Sequence, residues 1–282
     1  MPLDFLFLFL PYLMKFQNVL ENPQMAFSAL TDLMIVSIAS QKGGTGKTTT
    51  SISLAAGLAR KGKKVLLIDI DSQANSSKVL LPNYQSITKE QTIYTTILDR
   101  KPLPLHPTHI PTLQIIPSHI LLSNTDVELT IAKDHREERL KRELDKIKHM
   151  YEYIFIDCPP ALSWLTLNAF TASDKVIVVV SPGYFELDSI VQLNKTIEEV
   201  KEFFNPALQL AGLLFTMSDP TINTSNSLNI LRQMYDTSLL ETIIPRNTDL
   251  RDAHFQKLDI FGFNPHAKGA AAYEKLIQEL FL

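Results

Sequence analysis

Cysteine is almost absent from this chain. Its 282 residues contain one, Cys158, so an intrachain disulfide is excluded and a reducing cytoplasm is the natural compartment. A single thiol also speaks against an iron–sulfur reductase, which needs several cysteine ligands. Cys158 reads as a small core filler. A strong charge of either sign is missing as well, the net charge being −3. A monomeric nucleic-acid binder is usually more basic, so any such contact has to come from a local patch completed by self-association. Long apolar runs are also lacking. The segment Leu3-Asp-Phe-Leu-Phe-Leu-Phe-Leu10, closed by Pro11, is too short to span a bilayer. It has neither the basic start nor the small-residue cleavage site of a signal peptide. No internal repeat is visible. Hydrophobic residues make up 45 %, ample for one α/β domain with a large core.

What is present is concentrated in Lys42-Gly43-Gly44-Thr45-Gly46-Lys47-Thr48-Thr49. The closing Gly46-Lys47-Thr48 fits a phosphate-binding loop, G-x-x-x-x-G-K-[ST], but Gln41 stands where its first glycine belongs. Met34–Ala39 before the loop is apolar and reads as a buried strand. Ile52, Leu54, Ala55, Leu58 and Ala59 after it recur at helical spacing, and Gly62 supplies a stop. Strand, loop and helix therefore come in the required order. Glycines let backbone N–H groups approach phosphate oxygens, and the helix adds its positive end. Lys47 is expected on the β- and γ-phosphates, Thr48 on Mg²⁺ and Thr49 near the α-phosphate. Lys42 cannot duplicate the work of Lys47. It is read as pointing away from its own nucleotide toward that of another subunit, following the logic of an arginine finger.

Asp69 and Asp71 end a second apolar strand, and Asp157 ends a third, within Tyr153-Ile-Phe-Ile-Asp-Cys-Pro-Pro160. Carboxylates at that edge of an open α/β sheet can orient a water or hold a metal's hydration shell. Pro159 and Pro160 stiffen the loop that follows.

Taken together, these segments resemble the deviant Walker A ATPases of the ParA/MinD family, the ParA branch in particular. Gln41 and Thr50-Ser51 flanking the loop resemble that branch. Lys64–Asn75 resembles its second strand and switch I, and Tyr153–Pro160 its Walker B strand and switch II. Ile244-Pro-Arg-Asn247 and Gly269–Tyr273 resemble late ParA segments. The match runs in order from about Met34 to the C-terminus. The resemblance implies a P-loop α/β fold, ATP and Mg²⁺, and slow, partner-stimulated hydrolysis. It implies an ATP-dependent homodimer that binds DNA non-specifically. A ParB-like or other cargo adaptor would trigger hydrolysis to position a plasmid, a chromosome or another cargo, in a nucleoid-associated cytoplasmic location.

Carried residue by residue, the nucleotide site is Lys42, Gly43, Gly44, Thr45, Gly46, Lys47, Thr48 and Thr49, with Pro245 and Asn247. The catalytic set is Lys42, Lys47 and Asp71, with Asp71 positioning the attacking water. Asp157 would hold a water on Mg²⁺ beside Thr48, and Asp69 would support the metal less directly. Two departures stand out. Ser72 replaces the usual proline of switch I. Asp249 occupies a position where several ParA relatives carry a DNA-contacting arginine, with Arg251 two residues on as a substitute. DNA candidates are Arg232, Arg246, Arg251, Lys257 and Lys268.

Along the chain, the alternation of strand and helix predicts a parallel sheet with helices on both faces. Strands are expected near 34–39, 64–70, 113–117, 152–157, 175–181, 209–216 and 240–244. One long helix is expected over 126–149, and a loop-rich stretch with one short helix over 82–112. The last helix, 267–281, should pack Ala271, Leu276, Ile277 and Leu280 into the core rather than lie on a membrane. Residues 1–33 form a hydrophobic extension ahead of a 34–282 ATPase domain. The preferred reading is a mis-assigned start, since Met25 or Met34 would each begin a ParA-like chain. The competing reading is a membrane or partner anchor, which would make the protein a MinD-like positioning ATPase. A biosynthetic amide-forming or carboxylating enzyme on the same fold would need a small-substrate pocket, for which the sequence carries no signal.

Overall fold

Six apolar segments of four to seven residues, each flanked by turn residues, pair side by side in the computed structural model. The structure describes residues 33–132, 134–183 and 186–282, and the expectations for the N-terminal extension lie outside them. The strands are β1 (Met34–Ala39), β2 (Val65–Asp69), β3 (His106–Pro107), β4 (Leu113–Ile116), β5 (Tyr153–Asp157), β6 (Lys175–Val180) and β7 (Gln209–Phe215). They form one sheet in the order β3-β4-β2-β5-β1-β6-β7. All neighbours are parallel except the two-residue β3, which runs antiparallel to β4 at the edge. β3 was not expected from the sequence, because Pro107 argues against a strand anywhere except an edge.

Alternate side chains on each strand feed two separate cores. Ile35, Leu66, Ile68, Ile154 and Ile156 face one side. Val36, Ile38, Val65, Leu67 and Phe155 face the other. The second layer holds α1 (Lys47–Arg60) and the last helix, α11 (Lys268–Phe281). These two helices meet at Gly57, where an added Cβ would lie 2.3 Å from Ile277 Cδ1 and 2.9 Å from a Phe261 ring carbon. Tyr273, Leu276 and Ile277 of α11 are fully buried there, and burying side chains of this size contributes roughly 1.5–3 kcal/mol each. Leu280 packs partly buried against the same core, and of the expected inward residues only Ala271 departs, being exposed while Ala270 is buried.

The long helix expected over 126–149 is two helices, α4 (Thr125–Ile131) and α5 (Arg139–Ile147); α2 (Asn75–Leu80) and α3 (Ile93–Asp99) precede them. The chain turns at His135, whose φ is +39°. Side chains from the turn itself and from a following helix replace the lost helical bonds. Arg136 stacks on Trp164 at 3.9 Å and donates to the carbonyls of Leu129 and Thr130. Asn168 donates to the Arg136 carbonyl and accepts from Leu140 N–H. Asn168 and Trp164 belong to α6 (Trp164–Ala172), and α7 (Glu186–Phe203) and α8 (Ile222–Tyr235) follow.

Residues 240–244, expected as a strand, run beside β7 without forming one. Leu240 and Ile244 donate to the carbonyls of Leu213 and Phe215. Between them, the N–H groups of Glu241 and Thr242 turn instead to the Glu279 carboxylate, at 2.8 and 2.9 Å. The ladder is therefore interrupted in its middle. Two helices, α9 (Thr248–Phe255) and α10 (Ile260–Phe263), then lead to α11.

Candidate active site

β5 pairs with both β1 and β2, so the C-terminal ends of these three strands lie side by side. Beyond β1 the chain turns into α1 through Gly44 and Gly46, at φ +77° and +93°. Glycine enters that left-handed region without steric cost. Gly43, Gly44, Gly46, Lys47, Thr48 and Thr49 line a cavity of about 610 Å³, and Asp71, Gln73, Asn75, Lys78 and Pro160 form walls around them. Lys47 is buried, and its ammonium donates to the Lys42 carbonyl at 3.1 Å. The Lys42 side chain is exposed and outside the cavity lining. Thr45 is buried beneath the loop, not on its surface. Its carbonyl accepts from Thr216 Oγ at 2.6 Å, and the same hydroxyl lies 3.1 Å from the Val180 carbonyl. Thr216 thereby ties the loop to the ends of β6 and β7. Sequence reasoning missed it, although a polar residue ending an apolar strand on the ligand edge was a usable signal.

The three carboxylates divide by depth. Asp71 lines the cavity, and its Oδ1 accepts from Gln73 N–H at 2.9 Å. Asp157 is buried. Ser76 Oγ donates to it at 2.7 Å, Ser51 Oγ lies 3.1 Å away, and the Thr48 side chain also hydrogen-bonds it. Asp69 sits in register with Asp157 on the adjacent strand. It does not line the cavity: Ser77 N–H and Oγ hold one oxygen at 2.8 and 2.7 Å, and Asp71 N–H holds the other at 3.2 Å. Asp157 does not line the cavity either, and both oxygens of each buried carboxylate are engaged, those of Asp69 by Ser77 and the Asp71 N–H and those of Asp157 by Ser76 and Ser51. Burial pushes the Asp157 carboxyl up to about 6, with the Asp71 charge adding and the hydroxyl bonds opposing. Burial and the Asp157 charge raise Asp69 well above the usual carboxylate range. Packing like charges in low dielectric has this effect.

A second cavity, of about 580 Å³, adjoins the first. Pro245, Arg246, Asn247 and Leu250 line it, with Tyr273 from α11 and Ile244 beneath. Asn247 Oδ1 is buried with no hydrogen-bond partner among the described residues. That oxygen lies against Gly269 of α11, where an added Cβ would come within 2.9 Å of it, and an unpaired buried acceptor of this kind is costly. Tyr273 links this wall to α1 through a 3.0 Å hydroxyl pair with Thr50. Arg232, Lys257 and Lys268 are exposed away from both cavities. Arg246 is exposed with Asp219 at 3.7 Å, and Arg251 is exposed with Asp252 at 3.3 Å. Asp249 accepts from Asn264 Nδ2 at 3.1 Å. Among the described residues no group of three or more His, Cys, Asp and Glu could hold a metal by itself.

Strand, glycine loop and helix, with acidic strand ends beside them, define a P-loop nucleotide-binding protein of the doubly covered parallel-sheet kind. The comparisons narrow this. A family model described as an AAA domain matches residues 33–210. The chain is 38 % identical over 249 residues to the sporulation initiation inhibitor protein Soj of Bacillus subtilis, covering 87 % of this chain and 97 % of that one. It is 39 % identical over 249 residues to the chromosome partitioning protein ParA of Myxococcus xanthus, covering 87 % of both. Among solved structures, cobyrinic acid a,c-diamide synthase from Mycobacterium smegmatis, with bound ATP analog and magnesium, superposes with a TM-score of 0.73. That match is at 30 % identity and covers 87 % of this chain and 93 % of that one. The chain belongs to the ParA/MinD family of P-loop ATPases.

Proposed function

We propose that the protein is an ATP-dependent dimerising switch that binds DNA non-specifically and hydrolyses ATP to position a cargo. The observation carrying this reading is the split between the two loop lysines. Lys47 is drawn into its own cavity, whereas Lys42 projects outside it. A cation placed there serves a second subunit's phosphates better than its own.

The residues fit the groups this reading requires. The apolar cavity around Pro245 and Tyr273 takes the adenine, with Asn247 among the residues that line it. The glycine loop and Lys47 take the triphosphate. Mg²⁺ characteristically binds through one or two carboxylates plus phosphates, so Thr48 and Asp157 suffice without a protein cage. When bound, it neutralises charge on the β- and γ-oxygens. Asp71, on the cavity wall, positions the attacking water, and Asp69 and Ser77 hold the Asp71 backbone in place. Lys42 of the second subunit completes the charge on the transferring phosphoryl group; such trans cations can supply ~10³–10⁵ in rate. Turnover is therefore slow until dimer and partner assemble. A ParB-like or other adaptor completes the cycle, with DNA contacts drawn from the exposed Arg232, Arg246, Lys257 and Lys268.

The test is DNA binding with ATP, ADP and no nucleotide, each paired with a size measurement. A dimer and DNA binding that appear with ATP alone, and weaken steeply with salt as phosphate contacts release counterions, support the reading. A monomer with ATP, or equal DNA binding in all three states, refutes it. Among the described residues no helix is long and apolar enough to cross a membrane. Liposome binding that needs residues 1–24 would favour the MinD-like alternative.

A further inference from the structure

The two cavities meet along a boundary of five residues, Gly46, Thr49, Met217, Arg251 and His254, each of which lines both. On the nucleotide reading above, base and terminal phosphates occupy opposite sides of that boundary. The ribose and α-phosphate that join them must then cross it. Gly46 and Thr49 form one wall of the crossing, and Met217, Arg251 and His254 form the other.

α9 supplies most of that second wall. Asn247 caps it inside the base cavity, and Phe255 ends it at the phosphate cavity. Arg251, His254 and Phe255 share one helix face through their i, i+3 and i+4 spacing. Burial brings the His254 imidazole down to about 4, uncharged at neutral pH, so Arg251 is the cation at the crossing. Its neighbour Asp252 is an exposed partner at 3.3 Å, and such pairs hold a guanidinium weakly. Lys47, Lys78 and Arg251 line the phosphate cavity with Asp71, and the Asp157 carboxylate lies buried beneath the loop, so the cations outnumber the carboxylates there. A polyphosphate is drawn to a wall of that sign.

We propose that Arg251 is a nucleotide-binding residue that contacts the α-phosphate and ribose of the nucleotide in its own subunit, and is not a DNA contact. The inference rests on the ATP-binding reading of the site. It removes Arg251 from the DNA candidates and gives α9 the task of closing over the nucleotide.

The experiment is calorimetric titration of the full chain with ATP and with ADP, for wild type, Arg251→Ala and Arg251→Lys, with DNA binding at saturating ATP measured in parallel. Arg251→Ala is expected to weaken both nucleotides alike, by about tenfold for one charge-assisted hydrogen bond. Arg251→Lys should recover part of the loss, and DNA affinity at saturating ATP should stay unchanged. Unchanged nucleotide affinity in Arg251→Ala, or a loss confined to DNA, overturns the proposal. A loss for ATP without one for ADP overturns the α-phosphate assignment. A wild type that binds neither nucleotide overturns the underlying ATP reading, a result distinct from a binding wild type with an indifferent variant.

Discussion

Asp157→Asn should stabilise the nucleotide-free protein at neutral pH while abolishing hydrolysis. An unfolded aspartate ionises near 3.8, but in the fold Asp157 keeps its proton up to about pH 6. A group shifted upward in this way favours the folded state fully below its unfolded value and loses that advantage as pH rises through the folded one. The penalty for burying the charge therefore grows from about pH 4 to about pH 6 and is complete above. Asparagine removes the charge and keeps an acceptor for Ser76. Ser51 already has a second acceptor, the Lys47 carbonyl at 3.0 Å. The expected gain is about 1–3 kcal/mol at pH 7, or roughly 3–8 °C in melting temperature for a domain of this size. Thermal melts of the apo protein and variant between pH 4.5 and 7.5, without Mg²⁺ or nucleotide, measure it directly. The difference should be smallest at the acid end and largest at the neutral end. A variant that melts at or below wild type at pH 7, or by an offset independent of pH, refutes the buried-charge argument. Adding Mg²⁺ and ATP should then raise wild type more than the variant, because ligand that binds only the folded state stabilises by mass action.

The remaining expectations concern the loop and the packing. Lys47→Ala should abolish ATP binding in equilibrium titration, whereas Lys42→Ala should keep most of the binding and lose hydrolysis; retained affinity in the first variant would refute the loop assignment. Gly57→Ala should destabilise by about 1–3 kcal/mol through overpacking, because its methyl group meets Ile277 and Phe261. Chemical denaturation checks this, and an unchanged midpoint would mean that α11 stands off from α1 more than the structure shows.

The sheet was largely legible in the sequence because buried parallel strands read as continuous apolar runs, and six of the seven expected runs are strands. The seventh failed for a reason no local pattern carries: the Glu279 carboxylate, about forty residues downstream, takes two of its N–H groups. The long helix failed similarly, since nothing local in 126–149 marks the break at His135, while the turn depends on Trp164 and Asn168 from another helix. At the site, the glycine loop and the three aspartates announce themselves, because phosphate chemistry requires those residue types at those spacings. Their ranking by depth does not. The sequence shows three aspartates at strand ends, and only the fold shows that Asp71 lines the cavity while Asp69 and Asp157 are buried behind it, each bonded by serines.

Part of the molecule's local strain lies beside the same cluster. Ala74 and Met217 both hold φ of +53° without being glycine. Ala74 opens α2 behind Asp71, and Met217 stands where the two cavities meet. Strain of about 1–3 kcal/mol per such residue persists only where surrounding structure enforces it. Here the enforcement comes from Thr216 below the loop and from the chain of hydrogen bonds linking Asp69, Ser77, Ser118 and Asp71. Crowded carboxylates and two strained residues lie along one edge of the sheet, and a magnesium–nucleotide complex would relieve the charge. The helices α1 and α11, locked together at Gly57 and through Thr50 and Tyr273, supply the packing against which this edge of the sheet is held.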